Sequence, residues 1–299
     1  MELKFSDVKL YGRDNELQVL KDAWKRVVDN MDRGGGEEDD ESSNRTTSPR
    51  IETVLVYGYS GRGKSRLIHT SFNEFQQEYC GDDNNTTSSF PVMVVGKGKF
   101  DQLLDASCKP YSALMEALEE VLQQLRDVFT ASSSDDDKRK CTELRKSLKS
   151  LDLTHLYPML KTLRRLCPPS SSRSLEDEII GTLPSSAETR GRQQPESAQV
   201  QQPSRRTILL PVTNIGSALE ALLGMLSSFV PIVLLIDDIQ FGDIPTFDLL
   251  VRLATSIDLK SKPIGFCFAY RDNEIDTAHP WALRLERMEG ITERIDLPN

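Results

Sequence analysis

Eight consecutive residues, Gly58-Tyr59-Ser60-Gly61-Arg62-Gly63-Lys64-Ser65, restrict this chain more than any other stretch. They satisfy GxxxxGK[ST] in full. Before them stands a short β-branched run, Thr53 to Tyr57 (TVLVY). After them comes Lys64 to Tyr79, where Leu67, Ile68, Phe72 and Phe75 share one face at helical spacing. A strand that feeds a glycine-rich turn and then a helix is built to hold an anion. Glycines let successive backbone N–H groups converge, and the helix N-terminus adds the positive end of its dipole. The spacing predicts a triphosphate held by residues 58–65, with Arg66 among the contacting positions. Lys64 would reach the β- and γ-phosphates, and the Ser65 hydroxyl would bind Mg²⁺.

A second run agrees with the first. Ile232-Val-Leu-Leu-Ile-Asp237-Asp238 is an apolar strand that ends in two carboxylates. Adjacent like charges repel and resist burial, so a nearby cation is the natural reason for the pair. Asp237 is expected to hold the metal, through water, and Asp238 to orient or deprotonate an attacking water. Gln240 and Asp243 are candidates to share that task.

The remaining segments alternate in type. Strands are expected at 53–57, 91–95, 232–236, 264–270 and 291–297, and helices at 14–29, 64–79, 111–129, 151–166 and 215–229. Continuous apolar strands separated by helices predict a three-layer α/β fold with a mostly parallel, five-stranded sheet. Four polar stretches, 33–50, 81–89, 131–140 and 168–206, lack the apolar content to repay ordering and are expected as disordered insertions in one domain spanning 10–299. Asp135 to Asp137 then reads as solvated linker, while Trp24 and Trp281 read as core.

Composition excludes several classes. A net charge of −9 disfavours nucleic acid as a partner, since that needs a basic face. Five dispersed cysteines and three histidines suit neither a zinc site nor a disulfide framework and read as reduced thiols. No secretory h-region opens the chain, and the longest apolar run, 231–236, is too short to span a bilayer. An intracellular, cytoplasmic setting is expected.

Four further phrases carry a family resemblance. Gly12-Arg13-Asp14-Asn15-Glu16-Leu17 resembles the GRxxEL entry of AAA-type and STAND-class signalling ATPases. Gly98-Lys99-Phe100-Asp101-Gln102 and Pro110-Tyr111-Ser112-Ala113-Leu114 resemble the segment after their second strand. Asp237-Asp238-Ile239-Gln240-Phe241-Gly242-Asp243 is similar to DDLQWxD, with Phe241 in place of Trp. Tyr270-Arg271-Asp272-Asn273-Glu274-Ile275 with His279-Pro280 resembles YRDNEV…HP. Together they resemble the ATPase module called AAA_16, or origin-recognition-type, a P-loop fold of the ASCE kind.

The resemblance implies that Gly12 and Arg13 lie near adenine and ribose, and that Arg271 reads the γ-phosphate. It implies Glu where this chain has Asp238, which points to slow hydrolysis. It also implies a helical lid after Leu297, expected to be absent from a sequence that reaches Asn299. The expected function is a signalling ATPase switch that works with other domains or proteins of an assembly. The alternatives are a scaffold that holds ATP or ADP without turnover and, less favoured, a DNA-loading ATPase. A GTPase is disfavoured because no NKxD motif occurs.

Overall fold

Five strands, β1 (Glu52–Tyr57), β2 (Val94–Lys99), β3 (Ile232–Asp237), β4 (Ile264–Tyr270) and β5 (Thr292–Asp296), form one sheet in the order β2-β3-β4-β1-β5. Every pairing is parallel. The computed structural model describes residues 12–33, 51–80, 91–100, 110–131, 134–169, 212–277, 279–289 and 292–298. The expected insertions at 81–89 and most of 33–50 and 168–206, and positions 101–102, lie outside the described residues.

Eight helices are described: α1 (Asp14–Arg33), α2 (Lys64–Cys80), α3 (Ser112–Ala131), α4 (Asp135–Ser150), α5 (Lys161–Leu166), α6 (Val212–Leu226), α7 (Ile244–Ala254) and α8 (Ala282–Glu289). Alternate residues of each strand serve opposite faces, as the period of two requires. Val54, Val56, Val233, Leu235, Cys267 and Ala269 pack with α1 and α2 around Trp24 and Phe75. Leu55, Leu234, Ile236, Phe266 and Phe268 pack with the helices of the other face. The three-layer α/β architecture expected from the alternation is the one observed.

The second strand departs from expectation. It occupies Val94–Lys99 rather than 91–95, and so contains Gly96 and Gly98, residues ordinarily depleted in strands. The reason is tertiary. A Cβ on Gly96 would strike the carbonyl oxygen of Ala117, and one on Gly98 that of Ala113. Helix α3 thus lies with its backbone against β2, an approach only glycine permits. The same helix closes this edge of the sheet. Glu116 accepts the Lys99 N–H (3.1 Å), Glu120 that of Lys97 (2.7 Å) and Gln124 that of Val95 (3.3 Å). Carboxylates and an amide spaced four apart on one helix face take the place of a neighbour strand, which β2 lacks on that side among the described residues.

Two corrections fall in the crossover from β2 to β3. The polar stretch 131–140 is not an insertion from residue 135 onward; it opens α4. Ser134 caps the helix by accepting the Asp137 N–H (3.1 Å), and Asp135 to Asp137 complement the dipole of the first turn. Asp137 is buried rather than solvated. Conversely, most of 151–166 is not helical. Asp152 turns the chain by accepting the N–H and hydroxyl of Thr154, and Pro158 disfavours helix at Tyr157, so only Lys161–Leu166 is regular.

Candidate active site

In a parallel sheet all strands end on one side, and here the carboxyl ends gather the loop of residues 58–65, Asp237, Asp238 and Arg271. Tyr57 leads from β1 into Gly58, Lys99 closes β2 opposite Asp237 of β3, and Tyr270 leads from β4 into Arg271. Strands β1 and β3 are neighbours but one, separated by β4. Crevices at such ends are where open α/β sheets bind ligands.

The loop after β1 curls by means of glycine. Gly58, Gly61 and Gly63 have φ of +143°, +79° and +82°, which side-chain-bearing residues rarely adopt. Gly58 is further pinned by Leu297, whose carbonyl oxygen would stand 2.7 Å from an added Cβ. Helix α2 begins at Lys64, so its first-turn amides have no partner within the helix and face the loop. The Lys64 ammonium is buried and donates to the carbonyl oxygens of Gly58 (2.7 Å) and Tyr59 (2.9 Å). Burial lowers its pKa, against the opposing pull of Asp237 and Asp238. Tyr59, Ser60, Gly61, Arg62 and Arg66 are exposed around the rim.

Ser65 and Asp237, 172 residues apart in sequence, meet directly: the Ser65 hydroxyl donates to Asp237 Oδ2 at 2.6 Å. Asp238 follows in a left-handed turn (φ 51°), and its N–H donates to Asp237 Oδ1 (2.8 Å). Its own carboxylate is enclosed. Lys99 Nζ lies 3.1 Å from Oδ2, Gln240 Nε2 donates to Oδ1 (3.1 Å), and Arg271 Nε stands 3.6 Å from Oδ1. Bonding to Asp238 raises the Lys99 pKa. Lys99 has no role in the sequence expectation, which ends the second strand at residue 95 and not at Lys99. Its position beside Gly98 in the quoted motif was the available signal.

Of the other residues named from the sequence, Asp243 separates from the site. Asp243 caps α7, accepting the Thr246 N–H (2.8 Å) and hydroxyl, and the same Thr246 oxygen accepts the Tyr111 N–H (2.7 Å). Its carboxylate is thus committed to joining α3 and α7, which corrects its candidacy for water activation. Trp281 is core, ring to ring with Phe247 (4.2 Å) and Phe100 (6.3 Å). Arg271 donates to Glu274 (2.7 Å), which raises its pKa, and lies over the Phe241 ring (5.5 Å). Arg13 pairs with Glu16 (2.8 Å) and reaches the Pro298 carbonyl (3.4 Å), next to the Leu297 that borders Gly58. Gly12, at φ 70°, makes the turn into α1.

The donor set suits Mg²⁺. One hydroxyl and one carboxylate converge, both hard oxygen ligands, and no group of three or more His, Cys, Asp or Glu able to hold a metal occurs among the described residues. A magnesium ion that keeps several waters and leans on substrate phosphates needs no more than this.

No described helix is long and apolar enough to cross a membrane. No curated protein matches the chain. A family model described as AAA ATPase domain, AAA_16, matches residues 42–266, well over half of the 299. With the parallel sheet and the loop geometry already in view, the chain belongs to that family of AAA ATPase domains.

Proposed function

We propose that this chain binds ATP with Mg²⁺ in the loop of residues 58–65, hydrolyses it slowly, and uses nucleotide state as a conformational signal to neighbouring domains or proteins. The observation that carries the reading is the 2.6 Å contact between Ser65 and Asp237 beside the buried Lys64 ammonium. Two metal-binding oxygens and a phosphate-seeking cation sit together at the mouth of an anion-binding helix N-terminus. Lys64 would exchange the Gly58 and Tyr59 carbonyls for β- and γ-phosphate oxygens. Ser65 and Asp237 would hold the cation, which neutralises charge on the phosphates.

Asp238 would orient the attacking water. The water oxygen bonds to the γ-phosphorus as the bond to the β,γ-bridging oxygen breaks, its electron pair leaving on ADP. The water proton passes to Asp238 and then to the released phosphate. Lys99 and Gln240 now engage that carboxylate, with the Arg271 guanidinium nearby, which favours a low basal rate. Arg271 would respond to the γ-phosphate by leaving Glu274, supplying the difference in contacts that a switch requires. An intracellular setting and a place in a signalling assembly belong to this proposal.

The enclosure of Asp238 also favours a second reading, a module that holds nucleotide without turnover. Titration of ATP against wild type and Lys64→Ala, with and without Mg²⁺, tests binding. Tight, Mg²⁺-assisted binding that Lys64→Ala weakens is expected, and no affinity in folded wild type would end the proposal. Phosphate release compared between wild type and Asp238→Ala decides turnover. Equal, background-level release supports the scaffold.

A further inference from the structure

Gln240 is almost wholly buried, 5% exposed, in the 3-10 turn Ile239–Phe241 that follows β3. Both ends of its amide are engaged. Nε2 donates to Asp238 Oδ1 (3.1 Å), and Oε1 accepts the backbone N–H of Arg271 (3.2 Å). Only this orientation satisfies both partners, because a carboxylate accepts and a backbone N–H donates. The two oxygens of Asp238 are therefore divided. Oδ1 faces Gln240 and Arg271, deep in the turn, while Oδ2 faces Lys99, a side chain 63% exposed that is free to swing. The Asp238 backbone is in the left-handed region and leaves this carboxylate no regular element to brace it. The brace comes instead from the end of β4, through one glutamine.

We infer that Gln240 is a positioning residue for hydrolysis: it fixes Oδ1 of Asp238 so that Oδ2 is the oxygen presented to water, and it ties that carboxylate to the backbone of Arg271. The inference rests on the hydrolysis reading above. It differs from a direct role for Gln240 on water, since the amide oxygen that a water would donate to already accepts the Arg271 N–H, and one of the two amide N–H groups is held by Asp238. Any shift at the end of β4 that moves Arg271 is passed to Asp238 through a buried, doubly bonded link.

Steady-state phosphate release and Mg²⁺–ATP affinity in Gln240→Leu, Asp238→Ala and the double variant test this. Gln240→Leu is expected to lower kcat roughly 10- to 100-fold, the cost of a misplaced catalytic group, while ATP affinity stays within about twofold. In the Asp238→Ala background the same change is expected to cost nothing more, because Gln240 acts through Asp238. Gln240→Glu keeps the acceptor for Arg271 but loses the donor to Asp238. It is expected to slow turnover as well and serves if the leucine variant does not fold. Unchanged kcat in either folded variant overturns the inference, as does a loss that persists in the Asp238→Ala background. Wild type no faster than Asp238→Ala is a different result: it removes hydrolysis itself, and the role of Gln240 with it.

Discussion

The loop after β1 and the crossover from β2 to β3 are specified in different ways. In the loop, single residues are required by backbone geometry and charge. Gly61 and Gly63 take φ near +80°, Lys64 supplies the ammonium and Ser65 the hydroxyl. In the crossover, packing decides. Gly96 and Gly98 stand in a strand because α3 lies against them, and Asp137 is buried because a capped helix begins there. The difference teaches where this molecule is vulnerable. Changes in the loop should weaken binding and spare the fold, and changes in the crossover should do the reverse.

Gly98→Val is the harshest test of that division. Its side chain would enter the backbone of α3 at Ala113, with no flexible neighbour to yield. Overpacking of this kind costs about 1–3 kcal/mol where side chains can adjust, and more against backbone. A drop in melting temperature of roughly 5 °C or more is expected for a chain this size, with nucleotide affinity retained by whatever fraction stays folded. A stable Gly98→Val protein would mean that α3 does not approach β2 as described.

Lys64→Ala is the mirror image. Charge-assisted hydrogen bonds contribute about 1.5–3 kcal/mol each, so ATP affinity should fall on the order of 10- to 100-fold. The melting temperature of the nucleotide-free protein should move by no more than about 2 °C, because the ammonium removed was buried at a desolvation cost. A large loss of stability would show that the loop, too, is held by packing.

These two cases also explain what could be read from the chain itself. The loop was legible because GxxxxGK[ST] states its own backbone requirements. The strand ending in Asp237-Asp238 was legible because paired acids on an apolar run need a cation. The second strand was misplaced because glycine argues against strand until the facing Ala113 and Ala117 are known. Gln240 is only a candidate helper of Asp238 in the sequence; its bond to Arg271 could not be read there, since only the sheet order brings the ends of β3 and β4 together. Segment 131–140 was misjudged on composition, although Ser134 three residues before Asp137 is the spacing of a capping side chain.

That last point has a milder test. Ser134→Ala removes the oxygen that accepts the Asp137 N–H. Loss of such a cap costs about 1 kcal/mol, or roughly 2–4 °C in melting temperature. ATP affinity should not change, since α4 lies outside the site. An unchanged melting temperature would mean that the start of α4 contributes nothing to the stability of the crossover, and the contrast with the loop would weaken.

The smallest effect is the one most particular to the loop. Burial lowers the Lys64 pKa below the ordinary lysine value, while a bound phosphate would raise it again by pairing with the ammonium. The sign follows from linkage. Below that lowered pKa the lysine is charged in both states and affinity is flat. As pH rises through the lowered pKa of the free protein, binding must take up a proton, and affinity declines. The terminal phosphate, with a second pKa of about 6, has finished ionising well below that range. ATP affinity measured toward alkaline pH should therefore fall, at most about tenfold per pH unit and less near the onset, and the fall should begin before an ordinary lysine would lose its proton. Lys64→Ala should bind weakly and without this dependence. An equal alkaline decline in that variant would place the titrating group elsewhere and remove Lys64 from contact with the phosphates.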